Sequence, residues 1–130
     1  MKQVKIKILT TQKVDGESET TKTFAMGKLE NKEDAYVLSY RVKDDVPTRL
    51  VMDKSAPKVT MEHNGRMVIE QDATHTAPYQ MGPYKMDLGV TGKQVLCRMD
   101  ADGGSMKLCY DLTMNGTPAG ETTVELFVQS

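Results

Sequence analysis

Apolar and polar residues alternate with a period of two along almost the whole chain. Val4, Ile6 and Ile8 are interleaved with Lys5 and Lys7. Tyr36, Leu38, Tyr40 and Val42 share one parity, as do Met106, Leu108, Tyr110, Leu112 and Met114. Val124, Leu126 and Val128 close the chain in the same way. This period marks strands with one buried and one wetted face. No stretch repeats with the helical period. Leu29 to Leu38 has the length of a short helix, but its β-branched and aromatic end favours a strand.

Turn signals punctuate the alternation at Asp15-Gly16, Asp44 to Pro47, Asn64-Gly65, Gly89 to Gly92, Asp100 to Ser105 and Asn115 to Gly120. After Asp15-Gly16 a long polar strand leads to Phe24 and Met26, where Gly27 marks a bulge or bend. Pro78 and Pro83 confine Thr76 to Gly82 to an edge, a bulge or a connection. About nine or ten short strands at this turn spacing predict a sandwich or barrel. One apolar face per strand suits an antiparallel meander closed on itself.

The stretch from Lys58 to Glu70 fixes a register. A two-residue turn at Asn64-Gly65 would pair His63 with Arg66 and mix apolar and charged residues on both faces. A three-residue loop, His63-Asn64-Gly65, with Gly65 left-handed, sets Met61 opposite Met67 and Val59 opposite Ile69. Glu62 then meets Arg66, and Lys58 meets Glu70, as opposite-charge pairs on the other face. The three-residue loop is the consistent solution. It moves His63 out of the wall and into the turn.

Composition narrows the function classes. The 17 basic and 18 acidic residues leave a net charge of -1, and no basic run stands out along the sequence. Neither a nucleic acid nor an anionic membrane is therefore expected as a partner. The apolar runs are far too short for a helical membrane span. The amino terminus alternates as a strand and lacks a signal-peptide block, which points to the cytoplasm. Cys97 falls on an inner parity and Cys109 on an outer one, so the two are expected as free thiols.

The element order resembles the YwiB-like bacterial family, domain of unknown function 1934. The matching pieces are the strand at Leu38 to Tyr40, the turn ending in Gly65, and Tyr79 followed by Gly82-Pro83-Tyr84 and MDLGV. The loop at Asp102 to Gly104 and the following KLCYDL also match. The resemblance spans essentially the whole chain and implies a single all-β domain over residues 1–130. Its fold would be an antiparallel calycin-like or lipocalin-like β-barrel of about eight to ten strands with little or no helix. It implies no activity, cofactor or catalytic set. Family members carry Arg two residues before the turn glycine, where this chain has His63, so a role tied to that arginine does not transfer.

No catalytic or metal motif appears. The two histidines lack metal-ligand spacing, and DADGG lacks the remaining ligands of a calcium loop. No cofactor is called for. Ten methionines are best explained by inner faces, where Met52, Met61, Met67, Met86, Met99, Met106 and Met114 all fall. Tyr36, Tyr40 and Tyr110 share parity with apolar neighbours, so their rings point inward. With no Trp and two Phe, filling the barrel depends on Met, Leu and Tyr. The leading reading is a barrel that binds a small apolar or amphipathic ligand, lined by Tyr36, Tyr40, Met61, Met86 and Tyr110. The alternative is a filled module acting through its outer surface as a homodimer. Leu96, Cys109 and Phe127, on the polar side of successive strands, are the expected interface. An enzyme has no positive support in the residues.

Overall fold

A computed structural model of the chain describes residues 1–63 and 65–130, with Gln80 and Met81 followed by backbone alone. The strands are β1 (Lys2–Val14), β2 (Glu17–Asn31), β3 (Ala35–Arg41), β4 (Thr48–Asp53), β5 (Lys58–Glu62), β6 (Arg66–Glu70), β7 (Thr74–Met81), β8 (Tyr84–Asp100), β9 (Gly103–Met114) and β10 (Thr117–Gln129). They form one antiparallel sheet in the order β6-β5-β4-β3-β2-β1-β10-β9-β8-β7, with no helix among the described residues. The meander wraps into a nearly closed barrel. We call the end that carries the β1–β2, β5–β6, β7–β8 and β9–β10 turns the upper end.

The two sheet edges, β6 and β7, face each other across a seam. Pro78 sits on the β7 edge, where a missing N–H costs no ladder bond. The lower end of the seam is closed by residues 71–73. Gln71 bridges Gly92. The Asp72 N–H donates to Gly92 O at 2.9 Å, and the Gly92 N–H donates to Ala73 O at 3.0 Å. The Val95 N–H donates to the Gln71 side-chain carbonyl at 3.1 Å. Above this point no ladder joins β6 to β7 among the described residues, and one side-chain bond crosses instead: His75 Nε2 lies 2.7 Å from Glu70 Oε1.

The Gly89 to Gly92 segment is not the turn expected from its glycines. It lies inside β8, which shifts register between Gly92 and Gln94. These glycines serve close approach. A Cβ on Gly92 would stand 2.1 Å from Glu70 O, and one on Gly89 would stand 2.3 Å from Thr113 Oγ1. Gly27 is likewise no bulge. It pairs regularly with Val4 and Tyr40, and a Cβ there would meet Ser39 O at 2.5 Å. The Asp100 to Ser105 and Asn115 to Gly120 loops are also tighter than expected. β9 begins at Gly103 and β10 at Thr117. Asn115 and Gly116 take φ of 50° and 81°, the two positive values of a type I′ hairpin turn.

The hairpin register is as expected: Met61 opposes Met67, Val59 opposes Ile69 and Glu62 opposes Arg66. Asn64, at the centre of its loop, lies outside the described residues. Gly65 has φ +141°, a positive value of the kind that favours glycine. The charge partners also differ from those the register suggests. Glu62 pairs with Arg49 at 3.4 Å, Lys58 with Asp53 at 3.9 Å, and Glu70 with His75. β5 lies between β4 and β6, so Glu62 has Arg49 directly opposite on one side and Arg66 on the other, and it takes its partner from β4.

The core fills the lower and middle barrel. Leu29, Leu38, Leu50, Met52, Val59, Ile69, Leu108 and Leu126 are each at most 2 % exposed. Burial at that level leaves no free space around them, so any cavity must lie elsewhere along the axis.

Candidate functional site: a cavity at the upper end of the barrel

Inside the barrel, the free volume sits at the upper end. A cavity of about 370 Å³ is lined by Gln12, Met61, His63, Gly65, Arg66, Met67, Tyr79, Leu88, Tyr110, Leu112, Met114 and Thr122. The alternation accounts for these positions. Met61 and Met67 are the inward pair of the β5–β6 hairpin, and Tyr110, Leu112 and Met114 are successive inward residues of β9. A second space of about 230 Å³ runs along the seam and shares Arg66, Met67, Tyr79 and Leu88 with the first. The unpaired edges of β6 and β7 therefore border the cavity on one side.

Two polar arrangements stand at its wall. Tyr110 is cross-strand from Thr122, and both are buried. Burial pushes the Tyr110 phenol up to about 12, while its hydrogen bond with the Thr122 hydroxyl acts in the opposite direction. The second arrangement is a chain of side chains. The Thr48 hydroxyl, 8 % exposed, is 3.0 Å from His63 Nδ1. Thr48 also hydrogen-bonds the Tyr40 hydroxyl, whose pKa is raised by burial and partly lowered by that bond. The far nitrogen of His63 stands 3.7 Å from Asp45 Oδ2 in the β3–β4 loop. This chain fixes the His63 ring over the mouth of the cavity.

Of the residues expected inside, Met61 and Tyr110 line this cavity. Tyr40 packs against the core behind the wall and reaches the mouth through Thr48. Tyr36 also packs against the core, but its strand position is at the lower end, beneath the Lys54 ammonium at 4.4 Å. Met86 pairs with Tyr79 on the β7–β8 hairpin and is not among the lining residues. Parity put Tyr36 and Met86 on the inner face without saying at what height along the axis. His63 corrects the opposite inference. It is a turn residue, as expected, yet the turn folds over the opening and makes it a wall residue. Tyr79, Leu112, Gln12 and Thr122 were missed; for Leu112, its place two residues from Tyr110 and Met114 was the available signal.

On the outer face, β8, β9 and β10 are neighbours, and Leu96, Cys109 and Phe127 all point outward. They occupy different cross-strand rows: Leu96 opposes Lys107, Phe127 opposes Ser105, and Cys109 opposes Thr123. Polar residues therefore interrupt the spot. Cys109 Sγ accepts from the Thr123 hydroxyl at 3.6 Å. Cys97 packs against the core, and both cysteines are free.

The profile of the family described as Domain of unknown function (DUF1934) matches residues 6–126. The chain belongs to this family. Its fold is similar to that in the crystal structure of ywiB protein from Bacillus subtilis, with a TM-score of 0.77 over 98 % of this chain and 92 % of that one. The two sequences are 18 % identical, so the likeness concerns the fold. No curated protein matches the sequence. Family membership thus fixes the architecture of the barrel, and the chemistry must be argued from the cavity.

Proposed function

We propose that the barrel binds one small amphipathic molecule in its upper cavity. The observation that carries this reading is the contrast along the axis: the lower barrel is solidly packed, while about 370 Å³ stays open above it. That volume lies at the small end of ordinary ligand pockets, which run from roughly 300 to 1,000 Å³. Met61, Met67, Leu88, Leu112 and Met114 give an apolar wall. Methionines adapt to ligands of irregular shape. Gln12, His63, Thr122 and the Tyr110 hydroxyl offer hydrogen bonds to a polar end. Two unpaired thiols fit a reducing compartment such as the cytoplasm.

The test is a titration with an environment-sensitive fluorescent fatty acid. Wild type is expected to bind it, and Leu112→Trp, which fills the cavity, is expected to bind at least about tenfold more weakly. Equal binding by the two proteins would favour the second reading, a filled module that pairs with another copy through its outer face.

A further inference from the structure

The fold gathers cations that the sequence disperses. Phe24 and Met26 project from the outer face of β2 and are 67 % and 62 % exposed. Among the described large apolar side chains, only Met1 at the terminus and Tyr84 at the first position of β8 are more exposed. Lys22 and Lys28 flank the pair along the strand. Across strands Phe24 opposes Lys7, and Met26 lies between Lys5 on β1 and Arg41 on β3. None of these five cations has an ion-pair partner among the described residues. Lys7 instead lies over the Phe127 ring at 5.2 Å. Glu30 and Glu125 stand at its margin, one two residues beyond Lys28 and the other opposite Leu9, and Arg41 Nε donates to the backbone carbonyl of Asp45 in the β3–β4 loop at 2.9 Å. No basic run appears in the sequence because the five come from three strands.

We infer that this face is a docking surface for an anionic lipid bilayer. Charge complementarity requires an anionic partner. Shape then selects among anionic partners. The outside of a barrel is convex, and a planar surface meets it at a crest, here two adjacent apolar side chains ringed by long cationic ones. Such side chains keep their charges at headgroup level while the apolar tips enter the interface. A single-stranded nucleic acid would need several aromatic faces laid open for successive bases. Phe24 offers one, and the other outer-face phenylalanine, Phe127, is partly exposed but already holds the Lys7 ammonium over its ring. A second copy meeting this face about a two-fold axis would set five cations against five.

The experiment is co-sedimentation of the full chain with vesicles of phosphatidylcholine alone or with about one-third phosphatidylserine. Binding is expected only with phosphatidylserine and is expected to fall sharply at about 0.5 M salt. Lys5→Gln with Lys28→Gln is expected to weaken it about 25-fold, at about fivefold per charge. Phe24→Ser with Met26→Ser is expected to reduce it by at least about tenfold at unchanged net charge. All are exposed positions, and circular dichroism checks that the fold is intact. The inference is overturned by any of four results: no binding in low salt, unchanged binding by the Phe24→Ser, Met26→Ser protein, tighter binding to a single-stranded oligonucleotide, or a dimer that these substitutions dissociate.

Discussion

The Thr48 hydroxyl lies 3.0 Å from Nδ1 of His63, and this bond ties the start of β4 to the turn that covers the cavity. Thr48 also bonds Tyr40, so one buried hydroxyl holds two partners at once. Thr48→Val keeps the shape and removes both bonds. It should cost about 1–3 kcal/mol, because buried polar groups are left without partners. His63→Ala should cost less, since its ring is partly exposed. Urea denaturation of the two variants checks the ranking, and a neutral Thr48→Val would refute the account of the mouth.

Tyr110 gives the cavity wall a pH dependence. Its phenol is pushed up to about 12 in the folded chain, against an ordinary value of 10.0. Between these values the unfolded chain loses the proton while the folded chain keeps it. The stabilisation is therefore complete below pH 10 and is lost as pH rises towards 12. A shift of this size corresponds to roughly 3 kcal/mol. Thermal melts of wild type and Tyr110→Phe between about pH 9 and pH 12 should show a steeper alkaline decline for wild type. Parallel declines would remove Tyr110 as the cause.

Seam closure rests on backbone approach at Gly92. Alanine there would drive a Cβ into Glu70 O, whereas alanine at Gly89 meets a movable threonine hydroxyl. Gly92→Ala should cost at least about 2 kcal/mol and more than Gly89→Ala. It should also raise amide exchange at Asp72, whose N–H bonds Gly92 O. A Gly92→Ala protein as stable and as protected as wild type would show that the seam closes by other means.

The Glu70–His75 bond spans the open seam between two partly exposed side chains. Glu70→Gln should therefore change global stability by less than about 1 kcal/mol. Its effect should appear locally, as faster amide exchange along β6 and β7. A large global loss would mean that this pair, rather than residues 71–73, holds the edges together.

These outcomes follow how much was legible in the sequence. The register of Lys58 to Glu70 could be worked out because a one-residue slip inverts both faces. The inward rings of Tyr40 and Tyr110 followed from parity for the same reason. Height along the axis was not legible. It depends on how strands of unequal length stagger, which is why Tyr36 fell at the packed end and His63 at the open one. The glycines of β8 misled because close approach and turn formation call for the same residue. The cations around Phe24 became a cluster only once β2 lay between β1 and β3.

Native mass spectrometry of the protein taken from its own cells without denaturation tests the central claim most directly. The account predicts a population carrying one additional small molecule, which Leu112→Trp loses. A wild-type chain that shows only its own mass, or an adduct that Leu112→Trp retains, would contradict it.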